Sequence, residues 1–164
     1  MSVRVSLVMG SKSDLARLES CVALLGEMGI ESEVRVLSAH RTPKEVADWA
    51  EGLADRGVEV VLAAAGGSAA LAGVVAAHTL LPVIGIPMDN PPLGGLDSLL
   101  STVQMPGGIP VAAVAVGGGG PKNAALLAAR IVGLGDEQVR ERLAAHREDM
   151  RRGVLDSDAE VQGS

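Results

Sequence analysis

The sequence predicts a three-layer α/β fold around a doubly wound parallel sheet, and three observations carry that prediction. Strand-like and helix-like segments alternate through five rounds. The strand-like runs, residues 58–64 above all, are continuously apolar rather than alternating, as strands covered on both faces must be. Each run also gives way to a short loop that is polar, small or rich in glycine, the place where an open parallel sheet holds its ligands.

Taken in order, residues 3–9 form a β-rich run, and residues 14–28 set Leu15, Leu18, Val22 and Leu25 at helical spacing. A strand at 33–37 precedes a helix at 43–56, a strand at 58–64 a helix at 68–79, and a strand at 83–87 a helix at 95–104. A fifth strand at 110–116 leads into a helix at 121–132. Thr42, Pro43 and Glu45 read as a capping box with proline in the first helical position, and Gly120 with Pro121 repeats the device. Residues 137–152 form a charged helix whose narrow stripe of Val139, Leu143, His146 and Met150 calls for a partner. Beyond Gly153 the polar tail is expected to fray, so residues 1–152 are read as one α/β domain and 153–164 as a tail.

Composition narrows the function. At 164 residues, 48% apolar and 21% charged, the chain has enough apolar surface for one substantial core. One Trp with no Tyr or Phe removes the stacking platforms on which single-stranded nucleic acid binders depend, and a net charge of −6 opposes binding to phosphate polymers. The lone Cys21 excludes an internal disulfide, and with three scattered His it makes no zinc-ligand spacing, so Cys21 reads as a small buried apolar residue. The strand pattern begins within three residues of the start, which leaves no room for a signal peptide and predicts a cytoplasmic protein. Residues 60–88 and 98–121 carry no formal charge, yet Gly and Pro break both into short pieces. They are therefore expected to lie between elements or subunits, not in a membrane.

The loops after the strands are 10–14, 38–42, 65–70, 88–95 and 117–122, all small, polar or glycine-rich. Helix N-termini expose free N–H groups at such places, so a phosphate or another anion is the expected guest. The run Gly117 to Lys122 fits neither the dinucleotide fingerprint nor the P-loop and reads as a backbone nest. Gly66 to Ala70 imitates a nucleophile elbow, but the later partners would be Asp97 and a helical His146, and Ser68 is better read as a cap or ligand contact. His40 stands in a strand-end loop beside Arg41; position alone leaves open whether it moves protons or simply holds the loop. Ser11 and Asp14 are equally open between ligand binding and ordinary capping, whereas His78, inside an apolar run, reads as structural.

From about Val5 to Met150 the chain resembles the PurE family, the N5-carboxyaminoimidazole ribonucleotide (N5-CAIR) mutases of purine biosynthesis. The resemblance rests on MGSKSD at 9–14, SAHRTP at 38–43, AGG at 65–67, PVIGIP at 82–87, DSLLSTVQMPGGIPV at 97–111 and NAALLAARI at 123–131. It implies a flavodoxin-like sandwich, a homo-octamer, a small ribonucleotide substrate, and neither a metal nor an organic cofactor. His40 matches the family's catalytic histidine, and Ser11, Asp14 and Arg41, with Ser13 beside them, match its ribose-phosphate ligands. Ser38, Ala39, Gly66, Gly67 and Ser68 are expected to line the carboxylate and ring pocket.

The third loop departs from the family pattern. Mutases read GGAAHLPG there, whereas this chain places Ala70 and Ala72 where they have His and Pro. The direct carboxylases of aminoimidazole ribonucleotide (AIR) carry Ser, Ala and Leu at the places of Ser68, Ala70 and Leu71, so carboxylation of AIR with CO₂ is the alternative reading. Arg41 and Gly67 follow the mutases instead. A non-catalytic nucleotide-binding module is a more remote third reading.

Overall fold

The computed structural model describes residues 2–163. Five parallel strands form one sheet in the order β2-β1-β3-β4-β5: β1 Val5–Met9, β2 Ser32–Val36, β3 Val60–Ala65, β4 Val83–Pro87 and β5 Ala112–Ala113. The helices are α1 Leu15–Glu27, α2 Pro43–Glu51, α3 Leu71–His78, α4 Leu96–Val103, α5 Gly120–Val132 and α6 Glu137–Gln162. This is the flavodoxin-like arrangement, in which the winding reverses between β1 and β3 and opens a crevice at the carboxyl ends of those strands.

Both faces of the sheet are apolar because both are covered. On one face Val5, Leu7, Met9, Val60, Leu62, Ile84 and Ile86 pack against Leu18, Cys21 and Leu25 of α1 and Ala124, Ala125 and Ala128 of α5. On the other, Val8, Val61, Ala63 and Val83 meet Val46, Trp49 and Ala50 of α2 and Leu71, Ala72 and Val75 of α3. The alanines of α5 let that helix lie close to the strands, so a chain with a single aromatic residue can close its core on this face. Burial pushes the Cys21 thiol up to about 12, against a weaker backbone hydrogen bond with Ala125, so the thiol is a packing group and not a nucleophile.

Ser6 is a polar side chain on a core face, and its hydroxyl donates to Glu33 at 2.7 Å. Burial would raise the Glu33 carboxyl, but hydrogen bonds from Arg56, Ser6 and Trp49 outweigh it and hold the group below the usual range. Arg4 joins three distant segments in the same way, bonding Glu59 ahead of β3 and Asp136, whose carboxylate accepts from Val139 N–H at 3.2 Å and caps α6.

Several boundaries differ from expectation. The strand expected at 110–116 is only Ala112–Ala113, an edge strand that begins after Pro110, a residue with no amide to give the ladder. The helix expected at 43–56 stops at Glu51, and a separate 3₁₀ turn follows at Ala54–Arg56. The helix expected from Ser68 begins at Leu71. The tail expected to fray from Gly153 continues α6 to Gln162. Gly153 does not adopt the positive φ of a helix-ending cap; it costs the helix about 1 kcal/mol relative to Ala without breaking it. Ser157 Oγ donates to the Gly153 carbonyl at 2.8 Å, and Glu148 pairs with Arg151 and Arg152 one turn away. Among the described residues no helix is long and apolar enough to cross a membrane.

Candidate functional site

The carboxyl ends of β1, β2 and β3 border a cleft of about 380 Å³, within the size range of small-ligand sites. Its walls include Gly10, Ser11, Ser13, Asp14, Ser38, Ala39, His40, Arg41, Ala65, Gly66, Ser68, Ala70, Leu71 and Asn90. Every residue expected there from the sequence lines it except Gly67. That residue has a φ of +63°, a backbone that favours glycine, and it turns the chain between Gly66 and Ser68 without forming wall itself. The glycine-rich loop 117–122 is not part of this cleft; Gly117, Gly118 and Pro121 border a separate recess beside Arg17 and Asp89.

At the end of β1, the Ser11 hydroxyl accepts from Ser13 N–H at 3.3 Å and from Ser13 Oγ at 2.9 Å, which turns the chain into the 3₁₀ turn Lys12–Asp14 that enters α1. Capping and ligand contact are therefore not exclusive here: the same serines cap the turn and face the cleft. Asp14 is buried although it borders the cleft, and desolvation raises its carboxyl above the ordinary value while Arg17, 3.9 Å away, opposes the rise.

The second loop is closed on itself. Ser38 N–H donates to Thr42 Oγ1 at 2.9 Å, and Thr42 Oγ1 donates back to the Ser38 carbonyl at 3.1 Å. Thr42 precedes α2 as expected, but its side chain does not cap the helix; the expected capping box is absent because the hydroxyl is engaged with Ser38 instead. The same tie holds His40 at the tip of the loop, exposed toward the cleft. Arg41 reaches across to β1, donating from Nη2 to the Gly10 carbonyl at 2.7 Å and from Nε to Ser38 Oγ at 3.3 Å. These bonds anchor the guanidinium beside Ser11 and Ser13, where it gives that end of the cleft a fixed positive charge.

The third wall is small and largely backbone. Ser68 is exposed and its hydroxyl caps nothing, since α3 begins only after Ala70. A side chain at Gly66 would collide with the amide of Asn90, which comes from the loop after β4. Asn90 was not legible as a site residue: its loop is recognisable as a strand-end loop, but nothing in the spacing says which of its residues turns toward the cleft. His78 lies elsewhere, with Nδ1 3.0 Å from Glu51 Oε1. The cleft thus joins a cationic, hydroxyl-rich end, suited to a phosphate, to a compact wall of glycine and small side chains with an imidazole beside it.

Comparison with known proteins points the same way. The family model described as AIR carboxylase matches residues 4–153. The chain is 51% identical over 159 residues to the N5-carboxyaminoimidazole ribonucleotide mutase of Mycobacterium tuberculosis strain H37Rv, covering 97% of this chain and 90% of that protein. It is 49% identical to the protein of the same name from Saccharolobus solfataricus, covering 96% of this chain and 99% of that one. Among solved structures, the crystal structure of Treponema denticola PurE2-S38D is similar with a TM-score of 0.88 and 32% identity, covering 98% of each chain. Treponema denticola PurE is similar with a TM-score of 0.81 and 34% identity, over 95% of this chain and 96% of that one.

Proposed function

The chain belongs to the AIR carboxylase family, and on that premise we propose that it is an N5-CAIR mutase, an isomerase of purine biosynthesis. It moves the carboxylate of N5-CAIR from the exocyclic nitrogen to carbon 4 of the imidazole, yielding 4-carboxy-5-aminoimidazole ribonucleotide (CAIR). The observation that carries this reading is the convergence in one cleft of His40, the Arg41 and serine end, and the Gly66 wall.

Arg41, Ser11 and Ser13 hold the 5′-phosphate, and the Asp14 carboxyl takes ribose hydroxyls. Ser38, Ala39, Gly66 and Ser68 surround the ring and its carboxylate, with Gly67 shaping the turn between the last two. The bond from nitrogen to the carboxylate carbon breaks, releasing CO₂ while His40 protonates the nitrogen. Carbon 4 then attacks the held CO₂, and His40 removes the carbon 4 proton, so no atom is gained or lost overall. A wall of glycine and small side chains suits this step, because CO₂ must stay in place between bond breaking and bond making. Product formation from N5-CAIR without added nucleotide or metal tests the reading; unchanged N5-CAIR would overturn it and leave either direct carboxylation of AIR or a binding module.

The second reading, direct carboxylation of AIR with CO₂, is favoured by one observation: Ser68, Ala70 and Leu71, the residues of the departing loop, all line the cleft. Identity of about half along nearly the whole chain to proteins named as mutases supports the first reading over it.

We further propose that residues 1–152 form the catalytic unit, that the chain works as a homo-octamer in the cytoplasm, and that the end of α6 extends from it. Leu93, Leu96, Leu100 and Val103 are all exposed at spacings of three and four along α4 and its approach, a stripe that water should not face. Light scattering should find an assembly several times the monomer mass, and Leu96→Glu with Leu100→Glu should dissociate it. A wild-type monomer at micromolar concentration would overturn the proposal.

A further inference from the structure

Asn90 and Arg17 form a unit that the reading above does not use. Arg17 lies in the first turn of α1 and Asn90 in the loop after β4, yet Arg17 Nη1 donates to Asn90 Oδ1 at 2.8 Å. A guanidinium has only donors, so this bond decides which way the amide points. Oδ1 faces Arg17, and Nδ2 lies against Gly66 at the wall of the cleft, where a Cβ would strike it. Arg17 is itself held, by an ion pair with Asp89 and by the buried Asp14 carboxyl at 3.9 Å. Among the described residues no acceptor takes the Nδ2 hydrogens.

We propose that Asn90 is a substrate-contact residue whose Nδ2 donates to the migrating carboxylate, and that Arg17 is a positioning residue that fixes the orientation of that amide. The chemistry suits the reaction. The group passes from a carbamate carboxylate through neutral CO₂ to a ring carboxylate, and a neutral amide donor can serve both charged ends without holding the intermediate as a salt bridge would. A fixed amide also needs no reorganisation during transfer. This inference rests on the mutase reading, and it separates Asn90 from a mere tie between its loop and α1.

Binding of CAIR and of AIR, which lacks the carboxylate, should be measured by calorimetry for the wild type and for Asn90→Ala, Asn90→Asp and Arg17→Met. Wild-type conversion of N5-CAIR to CAIR is the control for the reading itself; if N5-CAIR is left unchanged, the mutase reading fails and this inference falls with it. Given that control, Asn90→Ala should weaken CAIR by ~10-fold and leave AIR unchanged, the loss of about one hydrogen bond to a charged group. Arg17→Met, which also removes the cation beside Asp14, should weaken CAIR by ~10-fold more than it weakens AIR. Asn90→Asp keeps the link to Arg17, now as an ion pair, but offers the cleft an acceptor in place of a donor, so it should weaken CAIR at least as much. Equal losses for both ligands in the Ala and Met variants, or wild-type CAIR affinity in Asn90→Asp, would overturn the proposal.

Discussion

Replacing His40 with Asn is expected to lower turnover of N5-CAIR by ~10²-fold or more while the protein still folds and binds the ribonucleotide. Asn keeps a polar side chain of similar reach at the tip of the 38–42 loop but cannot exchange a proton. That loop is held by the Ser38 and Thr42 bonds and by Arg41, none of which involves the imidazole, so the substitution should leave its geometry intact. Steady-state kinetics beside calorimetry separate the effects: the account expects kcat to collapse and affinity to persist. Near-wild-type turnover in a folded variant would remove His40 from the chemistry; among the described residues no other imidazole lines the cleft.

The second large effect is expected at Arg41. Its guanidinium is anchored to Gly10 and Ser38 before any ligand arrives, so little freedom is lost when a phosphate binds. Arg41→Ala should weaken the ribonucleotide by ~10- to 100-fold, the range for losing hydrogen bonds to a charged group. It should leave the corresponding riboside, which has no phosphate, within about twofold of wild type. Because Arg41 also braces the loop, the comparison of the two ligands is what identifies the role: equal losses would mean that it acts only as a brace. Arg41→Lys keeps the charge without the planar fork and should fall between the two.

The legible part of the fold was the part set by local pattern. Continuous apolar runs such as 58–64 announce strands covered on both faces, and the structure covers them with α1 and α5 on one side and α2 and α3 on the other. What local pattern could not give was set by partners distant in sequence. Thr42 has the residue type and position of a cap, yet its hydroxyl serves Ser38. Gly153 has the type of a stop, yet the helix runs through it because its φ stays helical. Within the site, loops that carry their own short motifs brought Ser11, Asp14, His40, Arg41 and Gly66 to notice. Asn90 escaped because its role depends on Arg17, 73 residues away, and on the absence of a side chain at Gly66. Gly67 was expected as wall and is turn, a distinction that only backbone conformation makes.

As proposed, this cleft moves a carboxylate within one molecule and does not capture CO₂ for AIR. Ala70 in place of the family's second His decides little if His40 and the Gly66 to Ser68 backbone hold released CO₂ by themselves. The most direct test is to measure kcat/KM for N5-CAIR and for AIR with CO₂ side by side on the same protein. N5-CAIR should give the higher value. A higher value for AIR with CO₂ would contradict it, and would mean that Ser68, Ala70 and Leu71 mark a carboxylase.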